Sequence, residues 1–223
     1  MQPLTFYSHK QGPNPWKSVL IFEELNIPYE THFLDFGAGA KGVEGEEFKQ
    51  KNPAGRVPLI YDPATGVSLA ESNAIAQYLV EFYDKESRLT FTTMPEKYLV
   101  NQWLNFQGAS QGPLFQQAFI SKFVKNDPEG LAHFQGLVKR TLGTVDQALE
   151  GKQYLVGDKC TIADLAFVNW DLSLASFMAG DEEAGTEELR AKKFPNWAAW
   201  HKRLLERAAV QKMMQIQQKA NAA

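Results

Sequence analysis

Cysteine is almost missing from this chain: among 223 residues there is one, Cys160. No internal disulfide can form, so the fold must rest on its own packing, as suits a reducing compartment. An excess of charge of one sign is lacking too. Lys and Arg number 23 against 26 Asp and Glu, giving a formal charge of -3 and a pI near 5.9. That balance argues against a sequence-independent grip on nucleic acid, which needs a basic face. No apolar run approaches the ~20 residues of a membrane helix. The four His lack metal-ligand spacing. The N-terminus enters a strand pattern without a basic-then-apolar leader. The expectation is a cytoplasmic protein with no membrane, nucleic-acid or metal partner.

What is present is an ordinary globular composition, 44% hydrophobic and 22% charged, long enough for one large domain or two modest ones. Residues 1–86 mix two periodicities. "LTFYS" (4–8) and "YETHFLD" (29–35) have strand composition, and Trp16, Val19, Leu20 and Phe22 place a helical stripe between them. This is a β-α-β unit with parallel strands. After a glycine-rich piece, "GAGAKGVEGEEF" (37–48), "VPLIYDPATGVSLAE" (57–71) reads as a hairpin. Ala74, Ile75, Tyr78, Leu79 and Phe82 then recur at helical spacing. The order β-α-β, β-β-α is that of a thioredoxin-like domain with a mixed four-stranded sheet.

From about residue 94 to 223 the pattern is wholly helical, after a linker at 84–96. Leu131, Phe134, Val138, Val145 and Leu149 form one stripe, and Trp197, Trp200, His201, Leu204 and Leu205 another. "TIADLAFVNWDLSLASFM" (161–178) is apolar on nearly every side, as a surrounded helix should be. Thr161 and Asp164 give it a capping-box start, a structural feature. The fold class is therefore α/β followed by all-α.

Three motifs give this two-part chain a family resemblance. "NPAGRVPLIYDP" (52–63), "ESNAIAQYL" (71–79) and "LVGDKCTIADLAF" (155–167) resemble segments of the soluble glutathione S-transferases. More narrowly, "FYSHKQGPNPWK", "FLDF" and "NQWLNFQGASQGPLFQQA" are similar to the fungal nitrogen-regulator-like and bacterial Nu classes. The resemblance implies glutathione as co-substrate, a homodimer, and a cis bond between Val57 and Pro58. It further implies that Glu71 holds the γ-glutamyl ammonium and that Ser72, at a helix start, receives its carboxylate. The free N–H groups and positive dipole end of a helix suit that anion. Val57 binds the cysteinyl unit through its main chain, as an added strand. From the residues alone, Glu71 and Ser72 could instead only cap the helix, with Ser68 completing a box one turn earlier.

The turn "SHKQGPNPWK" (8–17) then has a reading. A free thiol ionises near pH 8.5, and lowering that by about two units takes ~2.7 kcal/mol. A helix dipole gives ~0.3–1 kcal/mol and one charge-assisted hydrogen bond ~1.5–3 kcal/mol, so no general base is needed. The resemblance assigns that bond to Asn14. Tyr7 and Ser8 are the local competitors, and a turn-forming role is the plain alternative for Asn14. Lys41 is a candidate for the glycine carboxylate, because Val43 stands where some relatives carry a polar contact, with a merely solvated loop lysine as the alternative. Arg56 is a candidate for a glutathione carboxylate, with Glu71 or a partner subunit as its alternative partners. Ala70 and Asn73 also depart from the pattern, where close relatives often have Trp and Gly.

For the electrophile, Trp16 as floor and Phe106, Gln107, Gln111 and Phe115 as wall are expected, with Phe119 nearby and Met213 and Met214 as a yielding lid. Gly108, Gly112 and Pro113 should loosen or bend that helix. Cys160 is expected to be an inert core thiol. The implied activity is thiolate addition to a small-molecule electrophile, in detoxification or secondary metabolism. Cis–trans isomerisation by addition–elimination and disulfide reduction need much the same site. A non-catalytic regulatory module is the competing class. It is disfavoured because the chain lacks the Asn/Gln-rich extension of the nitrogen regulator.

Overall fold

The computed structural model describes residues 2–222. By contact the chain divides into two units, Met1–Glu86 with Ala208–Ala223, and Ser87–Arg207. In the first, β1 (Leu4–Ser8), α1 (Pro13–Leu25) and β2 (Tyr29–Phe33) form the β-α-β unit expected from the sequence. A short α2 (Glu46–Lys49) follows, then β3 (Leu59–Asp62), β4 (Val67–Ala70) and α3 (Ser72–Tyr83). The sheet order is β2-β1-β3-β4. β1 runs parallel to β2, with Leu4 opposite Tyr29, and antiparallel to β3, with Phe6 opposite Ile60. Phe6, Leu20, Phe22, Ile60, Ile75 and Leu79 are buried, which is where the period-2 strands and period-3.6 helices place them.

The second unit holds α4 (Glu96–Phe106), a π-helical turn (Gln107–Gln111), α5 (Gly112–Phe123), α6 (Pro128–Ala148), α7 (Ile162–Asp171), α8 (Leu174–Met178), α9 (Glu187–Lys193) and α10 (Pro195–Leu205). α7 is buried along its whole length. Phe167 packs edge-on against Trp200, and Phe115 against Phe177. Among the described residues no helix is long and apolar enough to cross a membrane.

The last helix, α11 (Ala208–Ala222), departs from the expected boundary. It belongs with the first unit, not with the helical one. Lys212 on α11 pairs with Glu23 on α1 at 2.5 Å, and Met213 is fully buried. Helical periodicity identified α11 as a helix but could not say which unit its apolar stripe would cover.

Candidate functional site

Two helix starts and one loop build the site in the first unit. Gly12 precedes α1 with φ 90°, a conformation that favours glycine. Pro13 then occupies the first helical position, where a missing N–H costs nothing, and Asn14 follows it on the first turn. No side chain caps α1. At α3 the pattern repeats with more strain. Glu71, the residue before Ser72, has φ 71° and ψ 112°. A side-chain-bearing residue held there costs about 1–3 kcal/mol. No side chain caps α3 either, so the capping role that Glu71 and Ser68 could have played is not realised.

Between these helices lies the loop ahead of β3. The Val57–Pro58 bond is cis, as the resemblance implied, and a second cis bond joins Met94 and Pro95. Asn52 fixes the loop: its Oδ1 accepts from Ala54 N–H at 3.2 Å and its Nδ2 donates to the Arg56 carbonyl at 2.7 Å. The outcome is one recess of about 90 Å3 lined by Asn14, Arg56, Val57, Glu71 and Ser72, together with Asn52, Pro58 and Ala70. Five of the expected binding residues, drawn from three separated stretches, therefore meet at one place.

Other expected residues do not meet there. Ser8 is buried and its hydroxyl donates to the His9 carbonyl at 3.0 Å. Tyr7 stacks on His32 and packs against Phe48, beside a cluster of Val43, Phe48 and Leu59. Neither hydroxyl residue lines the recess. The same cluster explains Val43, which is a core side chain. Lys41 is exposed and lies outside the recess.

Lys17 was not singled out from the sequence. It sits on α1 one turn beyond Asn14, is only 4% exposed, and donates from Nζ to Asn73 Oδ1 at 3.3 Å. Burial pulls its ammonium down to about 7, against the opposing pull of the Glu71 charge. The bond gives Asn73 a role: it ties the first turn of α3 to α1. The signal available in the sequence was a lysine inside a run that is otherwise the buried face of a helix. Asn52 had a signal as well, an Asn-Pro pair that favours a side-chain-closed turn.

The expected electrophile wall is corrected in most of its members. Gln107 is 0% exposed and donates to Gln111 Oε1 at 3.0 Å; Gln111 donates to Asp171 Oδ1 at 2.7 Å. Phe115 is also 0% exposed, held edge-on by Trp170 and Phe177. All three belong to the interior of the helical unit. Trp16 is a core residue of the first unit, its indole N–H donating to the Lys10 carbonyl at 3.2 Å. Met213 is buried and so is no lid, while Met214 is half-buried. Phe106 remains half-buried between Trp103 and Phe167, and Phe119 is 43% exposed. Cys160 is buried and forms no disulfide. Among the described residues no group of three or more His, Cys, Asp or Glu could hold a metal ion.

Comparison with known proteins gives this site a family. The model of the glutathione S-transferase N-terminal domain matches residues 2–81, and that of the C-terminal domain matches 112–208. The chain is 38% identical over 218 residues to the glutathione S-transferase-like protein OpS6 of Beauveria bassiana, covering 96% of this chain and 95% of that one. A crystal structure of the glutathione transferase URE2P6 of Phanerochaete chrysosporium, in complex with oxidized glutathione, superposes with a TM-score of 0.89 at 34% identity over 98% of each chain. Protein URE2 of Candida albicans matches 94% of this chain at 29% identity, over 69% of its own length. The chain is a glutathione S-transferase of the Ure2p class. Its thioredoxin-like sheet unit and its helical unit are the two halves of the glutathione S-transferase fold. Another transferase of that class, Ure2p5 of Phanerochaete chrysosporium, was cocrystallized with 1-(S-glutathionyl)-2,4-dinitrobenzene and superposes with a TM-score of 0.89 at 30% identity, over 100% of this chain and 97% of that one.

Proposed function

We propose that this glutathione S-transferase binds glutathione in the recess at the starts of α1 and α3 and uses its thiolate to attack small electrophiles. One observation carries the reading: Asn14, Val57, Glu71 and Ser72 line a single recess beside two helix starts that no side chain caps. The γ-glutamyl carboxylate takes the N–H groups at the start of α3, which point outward and carry the positive end of the dipole. Glu71, exposed at the same place, pairs with the ammonium. The strained backbone of Glu71 fits a residue whose placement serves a ligand. Val57 lies outside the β3–β4 ladder, whose pairing begins at Leu59, and receives the cysteinyl main chain. Arg56, and Lys41 in place of the buried Val43, are the cations for the remaining carboxylate.

Asn14 donates its amide N–H to the sulfur and α1 adds its dipole, so the bound thiol loses its proton near neutral pH. The thiolate then forms a C–S bond at the electrophilic carbon. With an aryl halide, the halide leaves with the bonding pair. With a conjugated alkene, elimination after rotation returns glutathione and an isomerised double bond. Disulfide reduction is the second reading, favoured by the oxidized glutathione in URE2P6. A homodimer and a cytoplasmic location are carried into the proposal from the family. Tyr98, Leu99, Phe119 and Phe123 are exposed apolar surface available for such an interface.

Retention on immobilised glutathione, followed by steady-state assay with 1-chloro-2,4-dinitrobenzene and with a glutathione mixed disulfide, tests this reading. Turnover of the aryl halide supports conjugation, and turnover of the disulfide alone supports the reductase. Retention without turnover of any electrophile or disulfide replaces both with a non-catalytic regulatory module.

A further inference from the structure

The γ-glutamyl end of glutathione is a zwitterion, and the start of α3 meets its two charges unequally. Glu71 offers a full negative charge to the ammonium. The carboxylate beside it has the dipole of α3, equivalent to roughly half a positive charge, and it approaches Glu71 as a like charge. Arg56 lines the recess, but in the proposed function it is engaged by the other carboxylate.

Lys17 stands where the missing charge is needed. It lies one turn beyond Asn14 on α1, a spacing that puts two side chains on one face of a helix, and α1 packs along α3. Its Nζ donates at 3.3 Å to Oδ1 of Asn73, the second residue of α3 and the neighbour of Ser72. The ammonium is thus held against the turn whose N–H groups face the carboxylate in the proposed site. The Glu71 charge acts on it there, while Glu23, farther along α1, pairs with Lys212 of α11. A lysine on the buried face of α1 costs stability that a methionine of like length would not. Such a cost is usual where a charge serves a ligand nearby.

We propose that Lys17 is a positioning residue of the glutathione site. Through Asn73 it holds the first turn of α3 against α1, and its ammonium offsets Glu71 so that the γ-glutamyl carboxylate is accepted. The assignment rests on glutathione occupying the recess, and it makes recognition of one carboxylate depend on a side chain that does not line that recess.

A cycle of two ligands and two proteins, read by calorimetry at pH 6, tests it. One ligand is S-methylglutathione, which keeps thiol ionisation out of the heat. The other carries a 4-aminobutanoyl group in place of γ-glutamyl and so lacks only the carboxylate. The unaltered protein should bind the first roughly tenfold or more tighter. Lys17→Met should cut that preference about fivefold, by weakening S-methylglutathione and not the analogue. Asn73→Ala keeps the ammonium and cuts its bond, and should move the preference the same way by about twofold. A lysine with a structural role alone would weaken both ligands alike. Equal weakening, or a preference that Lys17→Met leaves whole, overturns the proposal. Where Lys17→Met fails to fold, an Asn73→Ala protein with its full preference does so. An unaltered protein that binds both ligands equally, or neither, fails the glutathione reading itself and takes this assignment with it.

Discussion

The starts of α7 and α3 solve the same problem in opposite ways. Every helix leaves its first N–H groups without an internal partner. At α7 the chain closes the end itself: Thr161 Oγ1 accepts from Ala163 N–H at 3.2 Å, and Asp164 Oδ2 accepts from Thr161 N–H at 2.8 Å. Asp164 Oδ1 also takes Leu155 N–H and the Trp200 indole N–H, both at 2.9 Å. Burial raises the Asp164 carboxyl above its ordinary range, and those donors pull the other way. At α3 nothing of the kind is present. The residue in the capping position is strained, its carboxylate is exposed, and a half-hidden recess adjoins it. A closed start holds a core together, whereas an open one suits the anion that the proposed function brings to it.

The sharpest way to break the comparison is to damage the closed end. Asp164→Ala removes the acceptor of four buried donors, the Thr161 hydroxyl among them, and a loss on the order of 4 kcal/mol in urea unfolding is expected. The site recess shares no residue with it, so whatever protein stays folded should keep its glutathione affinity.

Next in size is the buried lysine beneath the open end. The Lys17 ammonium is held at about 7, well under its ordinary 10.5. Between those pH values the unfolded chain carries more protons than the folded one, so stability rises with pH across that window. Lys17→Met should abolish the rise, which is expected to be on the order of 3 kcal/mol between pH 7 and 10. A pH series of unfolding curves checks it, and parallel slopes for both proteins would contradict it.

Glu71→Gln keeps the backbone and removes the charge. Stability should change by less than about 0.5 kcal/mol, while glutathione affinity falls by about 2 kcal/mol, roughly thirtyfold. Calorimetry and thermal melting separate the two. Glu71→Gly is the smallest effect and the most telling. It relieves the positive φ at a conformational cost of its own, for a net gain of about 1 kcal/mol in stability, yet affinity should still drop. A Glu71→Gly protein that is less stable and binds normally would mean the α3 start is structural after all.

The same contrast explains what could be read in the sequence. Thr161 and Asp164 were legible because a capping box is local, two residues three apart. Asn14, Val57, Glu71 and Ser72 were legible only through their motifs, since nothing in spacing alone brings three distant stretches to one recess. The wall at 105–119 was misjudged for a physical reason. The helix passes through a π turn at Gln107–Gln111, whose extra residue rotates every later side chain by about 100°. Phe115, past the turn, joins Gln107 and Gln111 in the interior, while Phe119 and Phe123 are left exposed. The Gly108, Gly112 and Pro113 signals foretold an irregularity there without giving its phase. Lys17 and Asn73, 56 positions apart in sequence, meet only because α1 and α3 pack together, which no local pattern records.

The open start of α1 makes the claim on which the chemistry rests, and the bound thiol reports it directly. Ultraviolet difference titration of glutathione on the protein should give a thiolate midpoint about two pH units below the free value of about 8.5. Asn14→Ala should return most of that shift while leaving glutathione bound. A midpoint no lower than in buffer, or one that Asn14→Ala leaves in place and Tyr7→Phe restores, would contradict the account.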